Sequence, residues 1–181
     1  MKRAVFLDRD GVINRAFVID GKPQPAKSIV ELEILPGVVE AIAALFAANF
    51  EVVVVTNQPD VARKTVSKNS VENIHVHLQN LLGINHFYTC FHDDADDCEC
   101  RKPKPGMLLR AAAELNINLS ESFMVGDRWR DVAAGQTIGT NSYFIDYSYA
   151  EKQPTQPYIK VSSLTEAVQM ILEGSHGSVS R

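Results

Sequence analysis

Short apolar runs alternate along this chain with segments of helical periodicity, and that alternation restricts it to few folds. Ala4–Leu7 reads as a buried strand that stops at Asp8, and Glu51–Val55 as a β-branched strand ending at Thr56-Asn57. His86–Phe91, Phe123–Val125, Tyr143–Ile145 and Tyr158–Val161 read as further strands, the second of these ending at Gly126-Asp127. Between them, Pro36-Gly37 opens a helix with Val38, Val39, Ile42, Leu45 and Phe46 on one face. Ser70 is the expected cap of a helix carrying Val71, Ile74, Leu78, Leu81 and Leu82. Met107–Leu115, Asp131–Gln136 and Ser163–Glu173 complete the helices, while residues 11–35 and 93–104 read as irregular. Strands interleaved with helices imply an α/β fold, a parallel sheet covered on both faces. Ligands bind such sheets beyond the carboxyl ends of the strands, where Asp8, Asp10, Thr56 and Asp127 fall. No repeat or long linker divides the chain, so one domain is expected over residues 1–173, followed by a polar, disordered tail over 174–181.

Charge and hydropathy narrow the function classes. The net charge of -4 gives no basic field for nucleic acid. No apolar stretch reaches the roughly 18 residues of a membrane span. Asp8 interrupts the first apolar run before a signal-peptide core forms. The expectation is a cytoplasmic monomer acting on a small anionic metabolite, with neither nucleic acid nor membrane as partner.

Asp8-Arg9-Asp10-Gly11 follows directly on a strand. Two carboxylates at this spacing can divide labour, one attacking phosphorus and the other exchanging protons with the leaving oxygen and the attacking water. An ordinary strand-to-loop transition gives the same residues, but three further features join them. Thr56 ends the second strand with a hydroxyl that can hold a phosphoryl oxygen. The run Arg101-Lys102-Pro103-Lys104-Pro105-Gly106 offers cations to neutralise a transferring phosphoryl group, although such a run is usually a solvated loop. Gly126-Asp127-Arg128, with Asp131 behind it, offers carboxylate to magnesium, against the alternative that Asp127 caps a helix.

Cys90-x-His92-x5-Cys98-x-Cys100 places four soft or borderline ligands within eleven residues. An odd number of cysteines cannot pair off internally, and no C-x-x-C redox motif is present. Four such ligands fill a tetrahedral zinc and leave no open position, so the site is expected to be structural, ordering the loop that delivers Arg101 and Lys102. The acidic stretch 93–99 lacks calcium-loop spacing and reads as solvated. His75 and His77 read as surface or helix-packing residues, and Trp129 as either core packing or a wall of the substrate mouth.

FLDRDGVIN, VVVTNQ, CRKPKPG and MVGDRWRD resemble, in order and spacing, the four motifs of the haloacid-dehalogenase-like phosphatases. The resemblance implies a three-layer Rossmann-like core, Asp8 as nucleophile and Asp10 as general acid/base, with Thr56 and Lys102 binding the phosphoryl group. It implies Mg2+ held by Asp8, the backbone carbonyl of Asp10 and Asp127, with Asp131 orienting the site from behind. Arg9, Asn57, Gln58, Arg101 and Arg128 flank these positions as the candidate substrate contacts. Forty-five residues separate Asp10 from Thr56, and as many separate Thr56 from Lys102. Neither gap holds a sizeable cap domain, so an open site is expected. The cysteine loop is similar to the Zn2+ loop of two capless groups, one acting on a phosphorylated heptose and the other on histidinol phosphate. A phosphorylated heptose is the expected substrate, with histidinol phosphate the alternative. Pro59-Asp60 departs from the Ser-Gly pair of the heptose group. The contrasting class is a zinc-stabilised sugar-phosphate-binding module without turnover.

Overall fold

The computed structural model describes residues 1–176. Six strands form one parallel sheet: β1 (Arg3–Leu7), β4 (Phe50–Asn57), β5 (His86–Cys90), β6 (Phe123–Gly126), β7 (Asn141–Ile145) and β8 (Ile159–Val161), in the order β5-β4-β1-β6-β7-β8. The first strand of the chain thus lies inside the sheet. Its register pairs Leu7 with Val54 on one side and with Val125 on the other.

The unbroken apolar runs follow from burial on both faces. Val5, Leu7, Val52 and Val54 join one core with helices α1 (Val38–Ala47), α2 (Lys68–Leu82) and α5 (Leu164–His176). Ala4, Phe6, Val53 and Val55 join a second core with α3 (Gly106–Leu115) and α4 (Trp129–Thr137). Helices on both faces make three layers, as expected for this α/β class. Among the described residues no helix is long and apolar enough to cross a membrane.

Four local expectations are corrected. Helix α2 starts one turn early: Ser67, in extended conformation, is the cap and accepts from the Ser70 amide at 3.0 Å. Helix α4 also starts early, at Trp129, because the Asp131 carboxylate reaches back to the Arg128 amide at 2.9 Å; Asp127 is therefore not its cap. The segment read as irregular holds an antiparallel hairpin, β2 (Phe17–Ile19) and β3 (Lys22–Gln24). Its turn residues Asp20 and Gly21 both have positive φ, the geometry that matches strand twist in two-residue turns. Finally, α5 runs through residues 174–176 of the expected tail, and residues 177–181 lie outside the described residues.

Candidate active site

Parallel pairing of β4, β1 and β6 brings their carboxyl ends to one edge of the sheet. Asp8 follows Leu7 and is fixed by its amide, which donates to the Val125 carbonyl at 3.0 Å. Thr56 and Asn57 end β4, and Asp127 follows Gly126 at the end of β6. The chain turns away from Asp8 through Gly11, at φ +88°, where a Cβ would overlap the Asp127 carboxylate.

Lys102 reaches this edge from the loop before α3. Its ammonium is buried and gives its three protons to the Val55 carbonyl (2.6 Å), Asp8 Oδ1 (2.9 Å) and Asp131 Oδ1 (2.6 Å). Burial opposes the charge on Lys102, but Asp131 and Asp8 outweigh it and hold its pKa above the ordinary lysine value. One cation does not balance the carboxylates around it. Burial, with Asp131 and Asp10 adding to it against Lys102, pushes Asp8 up to about 6. Burial, then Asp8 and Asp131, raise Asp127 well above the ordinary range.

The carboxylate oxygens that Asp8, Asp127 and Asp131 can offer lie within 4.8 Å of one another. Asp127 Oδ1 is buried with no hydrogen-bond partner. A clustered, under-neutralised set of hard oxygens with one orphaned atom fits a divalent cation such as magnesium.

Asp10 is held differently. Five donors converge on its oxygens: Arg9 Nε and Nη2, Asn14 Nδ2, the Ala26 amide and Gln58 Nε2. Arg9 was a candidate substrate contact, yet it is wholly buried behind Asp10, and its Nη1 meets His75 Nε2 at 3.3 Å. Gln58 is likewise turned inward, donating to Asp10 and to Thr56 Oγ1. Neither lines the cleft, because each is consumed in orienting a neighbour. Asn57 lines the cleft but clasps the Lys102 backbone, its Nδ2 donating to the carbonyl and its Oδ1 accepting from the amide.

Arg101 and Arg128 do line the cleft, which has a volume of about 410 Å³. Arg101 pairs with Asp94 at 2.8 Å, and Arg130 shares the same carboxylate at 3.2 Å. Arg128 is paired with Glu151, its Nε donating at 3.1 Å. The β2–β3 hairpin supplies another wall through Lys22 to Pro25. Trp129 instead stacks against the cations of Lys152 and Arg130.

The Cys90, His92, Cys98 and Cys100 ligand atoms also gather within 4.8 Å. His92 Nδ1 lies 3.6 Å from Cys90 Sγ and 3.3 Å from Cys100 Sγ, and Cys98 Sγ lies 3.6 and 3.4 Å from the other two sulfurs. Tetrahedral zinc with bonds of about 2.0–2.3 Å requires ligand separations of roughly 3.3–3.8 Å, so the donor set and its spacing fit that ion. Arg101 follows Cys100 directly, and the Lys102 ammonium lies in the carboxylate cluster beside Asp8 and Asp131.

Several further residues stand around the cluster without a local pattern that marks them for it. His75 is buried and stacked on Phe87, with ring centroids 4.8 Å apart. Burial and the neighbouring Arg9 charge lower its pKa to about 3. Tyr149 donates to Asp127 Oδ2 at 2.8 Å, Tyr147 donates to the Gly11 carbonyl at 3.0 Å, and Glu151 holds Arg128. Only Asp20-Gly21 in the hairpin carried a readable local signal.

A central strand ending in a nucleophile-competent carboxylate, with a lysine and an acidic cluster on the flanking strand ends, defines a phosphoryl-transfer type of α/β hydrolase site. Residues 15–139 match the family profile of the haloacid dehalogenase-like hydrolases, and the chain belongs to that family. Among its relatives, the D-glycero-beta-D-manno-heptose-1,7-bisphosphate 7-phosphatase of Neisseria meningitidis is 32% identical over 178 residues, covering 96% of this chain and 92% of the relative. The enzyme of the same name from Pasteurella multocida is 37% identical over 149 residues, 75% of this chain and 77% of the relative. The crystal structure of D,D-heptose 1,7-bisphosphate phosphatase from B. bronchiseptica, complexed with magnesium and phosphate, superposes with a TM-score of 0.84 at 28% identity, over 95% of this chain and 99% of that one.

Proposed function

We propose that this protein is a magnesium-dependent phosphatase that removes the 7-phosphate of D-glycero-D-manno-heptose 1,7-bisphosphate. The observation that carries the reading is the convergence of Asp8, Thr56 and Lys102 on one sheet edge beside the Asp127–Asp131 cluster. In this reading an Asp8 oxygen bonds to phosphorus while the ester P–O bond breaks, and Asp10 gives a proton to the departing sugar oxygen. Water then attacks phosphorus of the aspartyl phosphate, Asp10 takes its proton, and the Asp8 carboxylate is restored with release of phosphate. Lys102 and Thr56 hold the phosphoryl oxygens throughout. Magnesium, held by Asp8, the Asp10 carbonyl and Asp127 with Asp131 behind them, supplies neutralising charge for the transferring group when bound. Zinc on Cys90, His92, Cys98 and Cys100 keeps the Arg101–Lys102 loop in place.

The rim favours the bisphosphate over histidinol phosphate. Outside the reacting groups Asp8, Asp10, Lys102 and Asp131, the cleft is lined by five cations, Lys22, Arg63, Arg101, Arg128 and Arg130, and by three acids, Asp60, Asp94 and Glu151, so its rim stays net positive even though the four arginines are ion-paired. The acidic loop that would attract an amine is already spent: Asp93 on Arg63, Asp94 on Arg101 and Arg130, Asp97 on Lys104. A single domain without a cap, working as a cytoplasmic monomer, completes the proposal. Phosphate release from the heptose bisphosphate and from histidinol phosphate, with Mg2+, tests it. The expected result is strong preference for the former and loss of turnover in Asp8→Asn. Equal or reversed preference removes the substrate, and a native protein that binds the sugar without turning it over removes the enzyme.

A further inference from the structure

The residues after β7 belong to none of the segments that carry the chemistry, yet several of them return to the site and to the hairpin that walls it. Tyr147 donates to the Gly11 carbonyl, the Ala150 amide donates to the Gly21 carbonyl at 2.7 Å, and Glu151 grips Arg128. Between them the Tyr149 hydroxyl meets Asp127 Oδ2 at 2.8 Å, its ring 5.6 Å from that of Tyr147. The other oxygen of Asp127 is buried and unpartnered.

Asp127 therefore has one oxygen occupied by a donor and one left over. The terminal torsion of an aspartate is broad and does not set the carboxylate plane by itself. A phenol on a packed ring can set it, since the hydroxyl is a single directed donor. Gly11 closes the same side, its missing Cβ leaving room for this carboxylate and no more. We propose that Tyr149 is a positioning residue: its phenol fixes the Asp127 carboxylate so that the unpartnered Oδ1 is presented to the divalent cation. The inference rests on the phosphatase reading above and adds a residue to it. A hydrogen-bonded partner of this kind behind a metal ligand typically changes metal affinity 10–100-fold.

The test is cation binding rather than turnover. Native protein, Tyr149→Phe and Tyr147→Phe, each with its zinc content and circular dichroism verified, are titrated with Mn2+ by electron paramagnetic resonance and with Mg2+ by calorimetry. Tyr149→Phe is expected to bind both ions about 10–100-fold more weakly, with Tyr147→Phe close to native. Native affinity in Tyr149→Phe overturns the proposal, also when turnover falls, because the phenol then acts on substrate. Equal weakening in Tyr147→Phe overturns it too, since loosening of the segment would then be the cause. A native protein that binds neither ion removes the magnesium-dependent reading together with the inference. Tight native binding that is unaltered in Tyr149→Phe removes the inference alone.

Discussion

Gly11 meets two demands at once: a φ of +88° and close approach to the Asp127 carboxylate. Gly11→Ala is expected to cost about 1–3 kcal/mol of stability from backbone strain and to reduce turnover severely by displacing Asp127. Thermal melting and phosphate release check both. His75 makes the opposite kind of statement. Arginine only donates, so the Nε2 facing Arg9 must carry a lone pair, and the imidazole is kept neutral with its pKa lowered to about 3. As pH falls below the ordinary value near 6.5, the unfolded chain takes up the proton first. The stability contributed by His75 is thus complete above that value and is lost as pH falls toward 3, by up to about 1.4 kcal/mol per pH unit. His75→Gln, which keeps an acceptor for Arg9, is expected to flatten the acid limb of a denaturation series; an unaltered limb would dismiss this account. Asp8, Thr56, Lys102 and Asp127 were legible because each sits at a strand end or beside a turn. His75 was not, since its partner lies 66 residues away and nothing in helical spacing distinguishes it from a packing histidine.

The strands were legible as elements because apolar runs bounded by polar residues leave little choice, whereas the start of α2 was missed by a turn and that of α4 by two residues. Ser67 and Ser70 are equally good caps by residue type, and only the extended backbone at Ser67 decides between them. The hairpin was hidden by Pro23 and Pro25, although Asp20-Gly21 is a strong turn signal. The loop from Cys90 to Lys102 has no regular structure beyond one short turn at Asp94–Asp96, so its shape depends on its ion pairs and, on the proposed function, on zinc. Cys98→Ser is expected to release zinc and to lower kcat far more than it alters the circular dichroism of the helices, because the loop that carries Lys102 loosens while both cores persist. Metal analysis with parallel kinetics reads this; full activity without zinc would show the loop to be self-supporting.

At the scale of the molecule, the buried acids tie stability to pH and, on the proposed function, to the cation. In the cation-free protein the Asp8 pKa is raised to about 6, so the folded form holds that proton more tightly than the unfolded chain does. This contribution is complete below the ordinary carboxylate value and is lost as pH rises through about 6. Magnesium needs the ionised form, so the rise in melting temperature on adding Mg2+ should be small well below pH 6 and large well above it. A shift independent of pH would disconnect the cation from these acids. The strand order carries one more consequence. β1 is made first, yet its neighbours are completed only at Asn57 and Gly126. During translation a chain that has not yet emerged past Gly126 exposes an apolar strand with an open flank, the kind of surface that holding chaperones retain. Fragments truncated before that point should therefore depend on such helpers to stay dispersed in the cell.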